Sequence, residues 1–163
     1  MQADNKLEEM EKSGEQALCI WDGSVLEKPE SERVEGLCAV KSSKAARLKK
    51  LRKGAFNKPG GKPIVVMGIE WIGVVLVGIR GMPTVVNMTW WSRKGLMAST
   101  QRKQEEFLLR VIAKRWGKRV LHVFDRGYAG GPWLSVLQLL GLDFLIRWKK
   151  GLYFRDLNGN EKK

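Results

Sequence analysis

Two aspartates, 103 residues apart, close apolar runs in the same way. Asp22 ends "ALCIWD" and is followed by Gly23 and Ser24; Asp125 ends "RVLHVFD" and is followed by Arg126 and Gly127. Each run reads as a strand, and the two-residue period sets Leu18, Ile20 and Asp22 on one face with Cys19 and Trp21 on the other. An aspartate beside a glycine is common turn chemistry, so either residue alone reads as the turn after a strand. A pair has a second reading. On neighbouring parallel strands, about 4.8 Å apart, both carboxylates would reach the same sheet edge. Like charges that close require a cation, a shared proton or a basic neighbour. Carboxylate oxygens without histidine or thiolate suit Mg²⁺ or Mn²⁺. His122 falls within the second strand and reads as a packed or hydrogen-bonded side chain. Asp143 opens a later strand, at the end opposite to Asp125, and reads as loop chemistry.

The strands that carry the pair belong to a chain of 163 residues with 44% hydrophobic content, enough for one domain with a core. The net charge of +13 calls for a polyanionic partner, nucleic acid before an anionic membrane. Residues 1–35 hold ten acids and four bases, whereas the remainder holds 26 bases and 7 acids. A phosphate-binding surface therefore belongs to the remainder. Cys19 and Cys38 make no disulfide framework and read as reduced core thiols, which suits the cytoplasm. One histidine makes a Cys/His zinc site unpromising. The N-terminus lacks a signal-peptide core, and the longest apolar run, 63–79, is short for a bilayer and carries Glu70. No membrane partner is expected.

The most basic stretch is "KSSKAARLKKLRKGAFNKPGGK", residues 41–62. From Gly36 to Ile69 no acid occurs. Lys44, Arg47, Lys49, Lys50, Arg52 and Lys53 are the candidate phosphate contacts, joined by Arg126, Lys149 and Lys150 near the aspartate edge. The alternative is a solvated basic loop. A P-loop is excluded: Pro59 stands where its second glycine belongs, and Gly61-Lys62 is followed by Pro63. Trp90, Trp91 and Trp133 read as core residues, with base stacking as the other use of an indole.

The remaining elements follow from pattern. Residues 1–15 are acidic and form a short helix or none. Residues 64–79 and 84–91 read as strands joined by the "RGMP" turn, hence an antiparallel pair. In 101–116, Phe107, Leu108, Val111, Ile112 and Trp116 recur at helical spacing, and Gly117 ends that helix. A strand at 119–125, a helix at 132–141 with Pro132 in its first turn, and a strand at 143–148 follow. The tail opens a hairpin around Asn158-Gly159. Hairpin-linked strands followed by helix-linked strands predict an α/β fold: a mixed sheet flanked by helices, its later strands parallel.

"WDGSVLEKPES" together with "VLHVFDRGYAGGPWL" resembles the DDE-type transposases of bacterial insertion sequences, over residues 17–150. "LGLDFLIRWKKG" resembles the strand and basic exit that follow the second aspartate of that family. The resemblance implies an RNase H-like core, a mixed five-stranded sheet whose first three strands are antiparallel. It implies that Asp22 and Asp125 are catalytic and hold two Mg²⁺ (or Mn²⁺) ions, and that the reaction is DNA cleavage at element ends and strand transfer into a target. It also implies dimers among intact members. The family requires a third carboxylate, a Glu on a helix after the last sheet strand. Glu161 sits 36 residues after Asp125 but follows an Asn-Gly turn at the chain end, so it is set aside. The resulting layout is an acidic segment at 1–16, a partial catalytic core at 17–150, and the start of an inserted β-region at 151–163, incomplete at the C-terminus and inactive alone. Two other readings remain: a non-catalytic basic nucleic-acid-binding module, and a complete RNase H-like nuclease that uses Glu161.

Overall fold

The structure is a computed structural model, and it describes residues 2–31, 33–42, 65–96, 98–148, 151, 153–155 and 159–162. In chain order these form α1 (Gln2–Lys12), β1 (Ala17–Glu27), β2 (Cys38–Lys41), β3 (Val65–Val77), β4 (Thr84–Trp91), α2 (Gln101–Trp116), β5 (Val120–Phe124), α3 (Gly131–Leu139), β6 (Phe144–Ile146), β7 (Phe154–Arg155) and β8 (Glu161–Lys162). The fold is mixed α/β, as the pattern predicts. Six strands form one mixed sheet in the order β2-β3-β1-β5-β6, with β4 also paired to β3, and β7-β8 form a separate two-stranded sheet.

Strand direction follows from the pairings. β1 and β5 are parallel, Ala17 opposite Val120 through Trp21 opposite Phe124. β5 and β6 are parallel as well, Phe124 opposite Ile146. β2 and β3 are antiparallel. Between β1 and β3, Lys28 N–H donates to Met67 O at 2.8 Å. Further back along β1, Leu26 approaches Gly68 and Gly23 approaches Trp71. Partners that descend on one strand as they rise on the other make this pair antiparallel. β3 and β4 are joined by residues 78–83, too short a connection for parallel strands.

Two differences from the sequence pattern stand out. β2 is a sixth strand, four residues long, where five were expected. β1 runs on to Glu27 instead of ending at Asp22. "DGSVLE" carries turn-forming residues, but hydrogen bonding to β3 holds it extended. Pairing outweighs local preference there. Gly68 is what allows the close approach: a Cβ on it would lie 2.6 Å from Leu26 O and 2.7 Å from Val40 Cγ2.

The chain divides into two compact units, one of Met1–Asp22, Val74–Val86 and Leu109–Lys163, the other of Gly23–Gly73 and Asn87–Leu108. In the first, the core collects Leu7 and Met10 of α1, Cys19 and Trp21 of β1, Leu109 and Ile112 of α2, Val120 and Phe124 of β5, and Trp133 and Leu137 of α3, all buried. The acidic α1 is anchored as well as packed. Arg115 donates Nε and Nη2 to the Asp4 carboxylate at 2.6 and 2.5 Å, and Arg119 grips Glu11 at 2.7 and 2.6 Å. α3 ends in a Schellman motif: Leu142 N–H bonds Leu137 O and Gly141 N–H bonds Gln138 O. Gly141 takes φ +62°, a value that a side chain would strain.

In the second unit, Leu37, Cys38, Val40, Ile72, Trp91 and Leu108 are buried. Trp91 Nε1 donates to Glu70 Oε2 at 2.9 Å, and Ser92 Oγ donates to Gly36 O. Along α2 the buried positions are Glu105, Leu108, Leu109, Ile112 and Trp116, whereas Phe107 and Val111, read as part of the apolar stripe, are 66% and 46% exposed. The stripe is rotated because Glu105 is brought inward, where Gln101 Nε2 donates to it at 2.7 Å and Arg102 lies 3.3 Å from it.

Both cysteines are free and buried. Among the described residues, no helix is long and apolar enough to cross a membrane.

Candidate functional site

Asp22 and Asp125 are brought together by strand register. The β1–β5 ladder pairs Leu18 with Leu121, Ile20 with Val123 and Trp21 with Phe124. The next residue on each strand is an aspartate. Paired residues of parallel strands point to the same side, so both carboxylates continue the face of Ile20 and Val123. Both are exposed. The opposite face explains why the strands hold this register. There Trp21, His122 and Phe124 are buried in one aromatic cluster, with Tyr128 and Trp133 against Phe124 at ring distances of 5.0 and 5.6 Å. A slip of one residue would turn these rings to the aspartate face.

The two aspartates are held differently. Asp22 lies within β1, so its backbone is fixed by the strand. Asp125 caps a single 3-10 turn, Arg126–Tyr128, and its Oδ1 accepts from Gly127 N–H at 2.8 Å. Tyr128, at the end of that turn, is buried and pins it to the core.

A third parallel strand adds a cation. Arg147 follows Ile146, the partner of Phe124, and donates its N–H to Phe124 O at 3.2 Å. It therefore stands beside Asp125 in register and is exposed, as is Arg126. Arg126 was legible from its place after Asp125. Arg147 was not, and the signal that finds it is the third strand ending at the same edge. The edge thus presents two carboxylates and two guanidinium groups where the parallel pairing of β1, β5 and β6 ends, the side of an α/β sheet where ligands bind. The donors available to a cation are hard oxygens only, and this set fits Mg²⁺ or Mn²⁺.

Among the described residues, no group of three or more metal-ligating side chains converges. Glu161 lies in β8, with Arg155 as its register partner, and not on a helix. The helical placement that a complete nuclease would need for it is absent from the described residues. Asp143 lies at the other end of its strand, its carbonyl accepting from His122 N–H at 2.9 Å. Lys44, Arg47, Lys49, Lys50, Arg52, Lys53, Lys149 and Lys150 lie outside the described residues, as does Asn158 of the tail turn.

His122 is a packed residue, as its place in the strand suggested. Trp21 Nε1 donates to its Nδ1 at 3.1 Å, which puts the ring proton on Nε2. Nε2 is buried without a hydrogen-bond partner among the described residues. Burial pushes the imidazole pKa down to about 4, so it is neutral near pH 7 and offers the edge no charge. Burial also pushes the Cys19 thiol up to about 12, which removes it as a nucleophile.

No family model, no curated protein and no solved structure matches the chain.

Proposed function

We propose that this chain carries the two-aspartate part of a DDE-type transposase site, acting on DNA by phosphodiester hydrolysis and strand transfer. One observation carries the reading: Asp22 and Asp125 directly follow the register pair Trp21 and Phe124, where the parallel β1–β5 ladder ends. The strand plan supports it. The β4-β3-β1 run is antiparallel and β5 and β6 continue parallel to β1, as an RNase H-like sheet requires, with β2 as an addition.

The roles follow from side-chain chemistry. Asp22 and Asp125 supply the oxygens that hold a divalent cation. A cation held there supplies Lewis-acid activation of an attacking oxygen and charge for the leaving one. Arg126 and Arg147 are placed to orient a phosphate through charge-assisted, paired N–H donors. The rigid β1 backbone and the pinned Asp125 turn keep this set preorganised, and phosphoryl chemistry depends mainly on such positioning. The basic residues 41–62 supply sequence-independent attraction to DNA.

Manganese binding, measured by calorimetry, tests the site. Weak binding by the wild type that is lost in Asp22→Asn and in Asp125→Ala is expected. Equal binding by all three proteins overturns the reading. Nicking of supercoiled plasmid in Mn²⁺ follows the same residues. The second reading, a basic nucleic-acid-binding module, is favoured by the lack of a third converging carboxylate among the described residues. It predicts salt-sensitive DNA binding that is indifferent to Mn²⁺ and to both substitutions.

A further inference from the structure

The three tryptophans read from sequence as core residues separate in the structure. Trp91 and Trp133 are buried, at 5% and 2% exposure, but Trp90 is 58% exposed. With Trp71, Leu26, Ile69 and Met88 it lines an open groove of about 400 Å³ on the sheet of the second unit. A second cavity, of about 240 Å³, shares Trp90 and Ile69 with the first and is also lined by Lys94 and Glu35. Aromatic surface of this kind on a sheet is expensive to leave in water and marks a binding face.

Charge chooses among occupants. The chain carries +13, although the described residues of the second unit hold only seven bases against six acids. A second copy of the chain would bring a further +13 to the face, so like-charge repulsion opposes self-association. A polyanion that also offers flat apolar rings satisfies both features at once. Exposed indoles with a lysine at their side, Lys94 here, on a chain of net +13 suit unpaired nucleic acid, because every base has a π-face and the contact tolerates any sequence.

We propose that the Trp71–Trp90 groove stacks unpaired DNA bases, with Lys94 contacting the adjoining phosphate. This rests on the reading of the chain as DNA-processing and adds a preference for strands with unpaired bases, such as a melted duplex end. Base-paired DNA hides its ring faces and gains nothing from the groove.

The test compares an oligo-dT single strand with a blunt duplex of equal length, by fluorescence anisotropy, on wild type, Trp90→Ala and Trp90→Phe. Quenching of tryptophan emission by the single strand is read in parallel. Trp90→Ala should weaken single-strand binding about 5- to 100-fold and leave duplex binding unchanged. Trp90→Phe should recover most of the loss. Salt-sensitive duplex binding with single-strand affinity indifferent to Trp90→Ala overturns the stack and leaves the DNA reading standing. No binding of either DNA at low salt overturns both. A concentration-dependent dimer that Trp90→Ala dissolves, with DNA affinity untouched, gives the groove to a second copy and also overturns the stack.

Discussion

β5 exposes none of its five residues, whereas β4 exposes four of its eight, Val85, Asn87, Met88 and Trp90. Both strands are rich in apolar residues, and sequence pattern gives little reason to separate them. Their pairing does. β5 sits between two parallel neighbours, β1 and β6, with the helix Gln101–Trp116 leading into it from β4 and the helix Gly131–Leu139 leading out of it to β6. Parallel strands carry helices on their faces and bury them, while antiparallel strands can keep one face toward water. The aspartates stand where the buried, parallel ladder ends. The open groove stands on the antiparallel strands. The first region is built for fixed geometry, and the second leaves surface free for a partner.

The most severe way to break this contrast is to truncate equivalent aromatic residues in each region. Trp133→Ala removes a ring packed on Phe124 and Tyr128. It should cost about 3–5 kcal/mol in urea unfolding. Trp90→Ala should cost about 0.5 kcal/mol or less, as surface changes do. Similar losses from the two substitutions would show that the exposed indole is structural.

A pH titration of stability sharpens the same contrast from inside the parallel region. His122 titrates near 4 when folded, against 6.5 for the ordinary side chain. The unfolded chain therefore binds more protons between these values, and stability falls as the pH drops from 6.5 toward 4. The loss attributable to this residue should approach about 3 kcal/mol, and it should be fully restored above pH 6.5. The difference between wild type and His122→Gln, followed by urea midpoints, isolates it from the carboxylates. A pH-independent difference would mean that the ring is not desolvated.

A more modest loss probes the pairing of the antiparallel region. Gly68→Ala places a Cβ against Leu26 O and Val40, and should cost about 1–3 kcal/mol because backbone has to yield. A neutral result would show that β1 and β3 are more loosely joined than β1 and β5.

Much of the candidate site was legible in residues. The Val-rich runs, the helix closed by Gly117, the helix opened by Pro132 and the matching aspartates all follow from local chemistry. So does the buried, hydrogen-bonded His122, from its place in a strand. Other features were not. The stripe on α2 is shifted because Glu105 is carried inward with Gln101 and Arg102 as partners, and periodicity counts a carboxylate as a surface residue. β2 is four residues long, too short for alternation to register.

What the sequence by itself determined is the inventory: strands from apolar alternation, helix ends from glycine and proline, a basic chain, and two aspartates in like surroundings. Each depends on side chains within one turn or one strand of each other. What only tertiary structure decided is adjacency. That Asp22 and Asp125 share an edge depends on β1 lying beside β5 in one register, over a separation of 103 residues. That Arg147 joins them depends on β6 ending level with β5. That Trp91 is covered and its neighbour Trp90 is bare depends on which sheet face is packed. Local propensity has no access to these outcomes, because they are set by burial and hydrogen bonding between segments far apart in the chain.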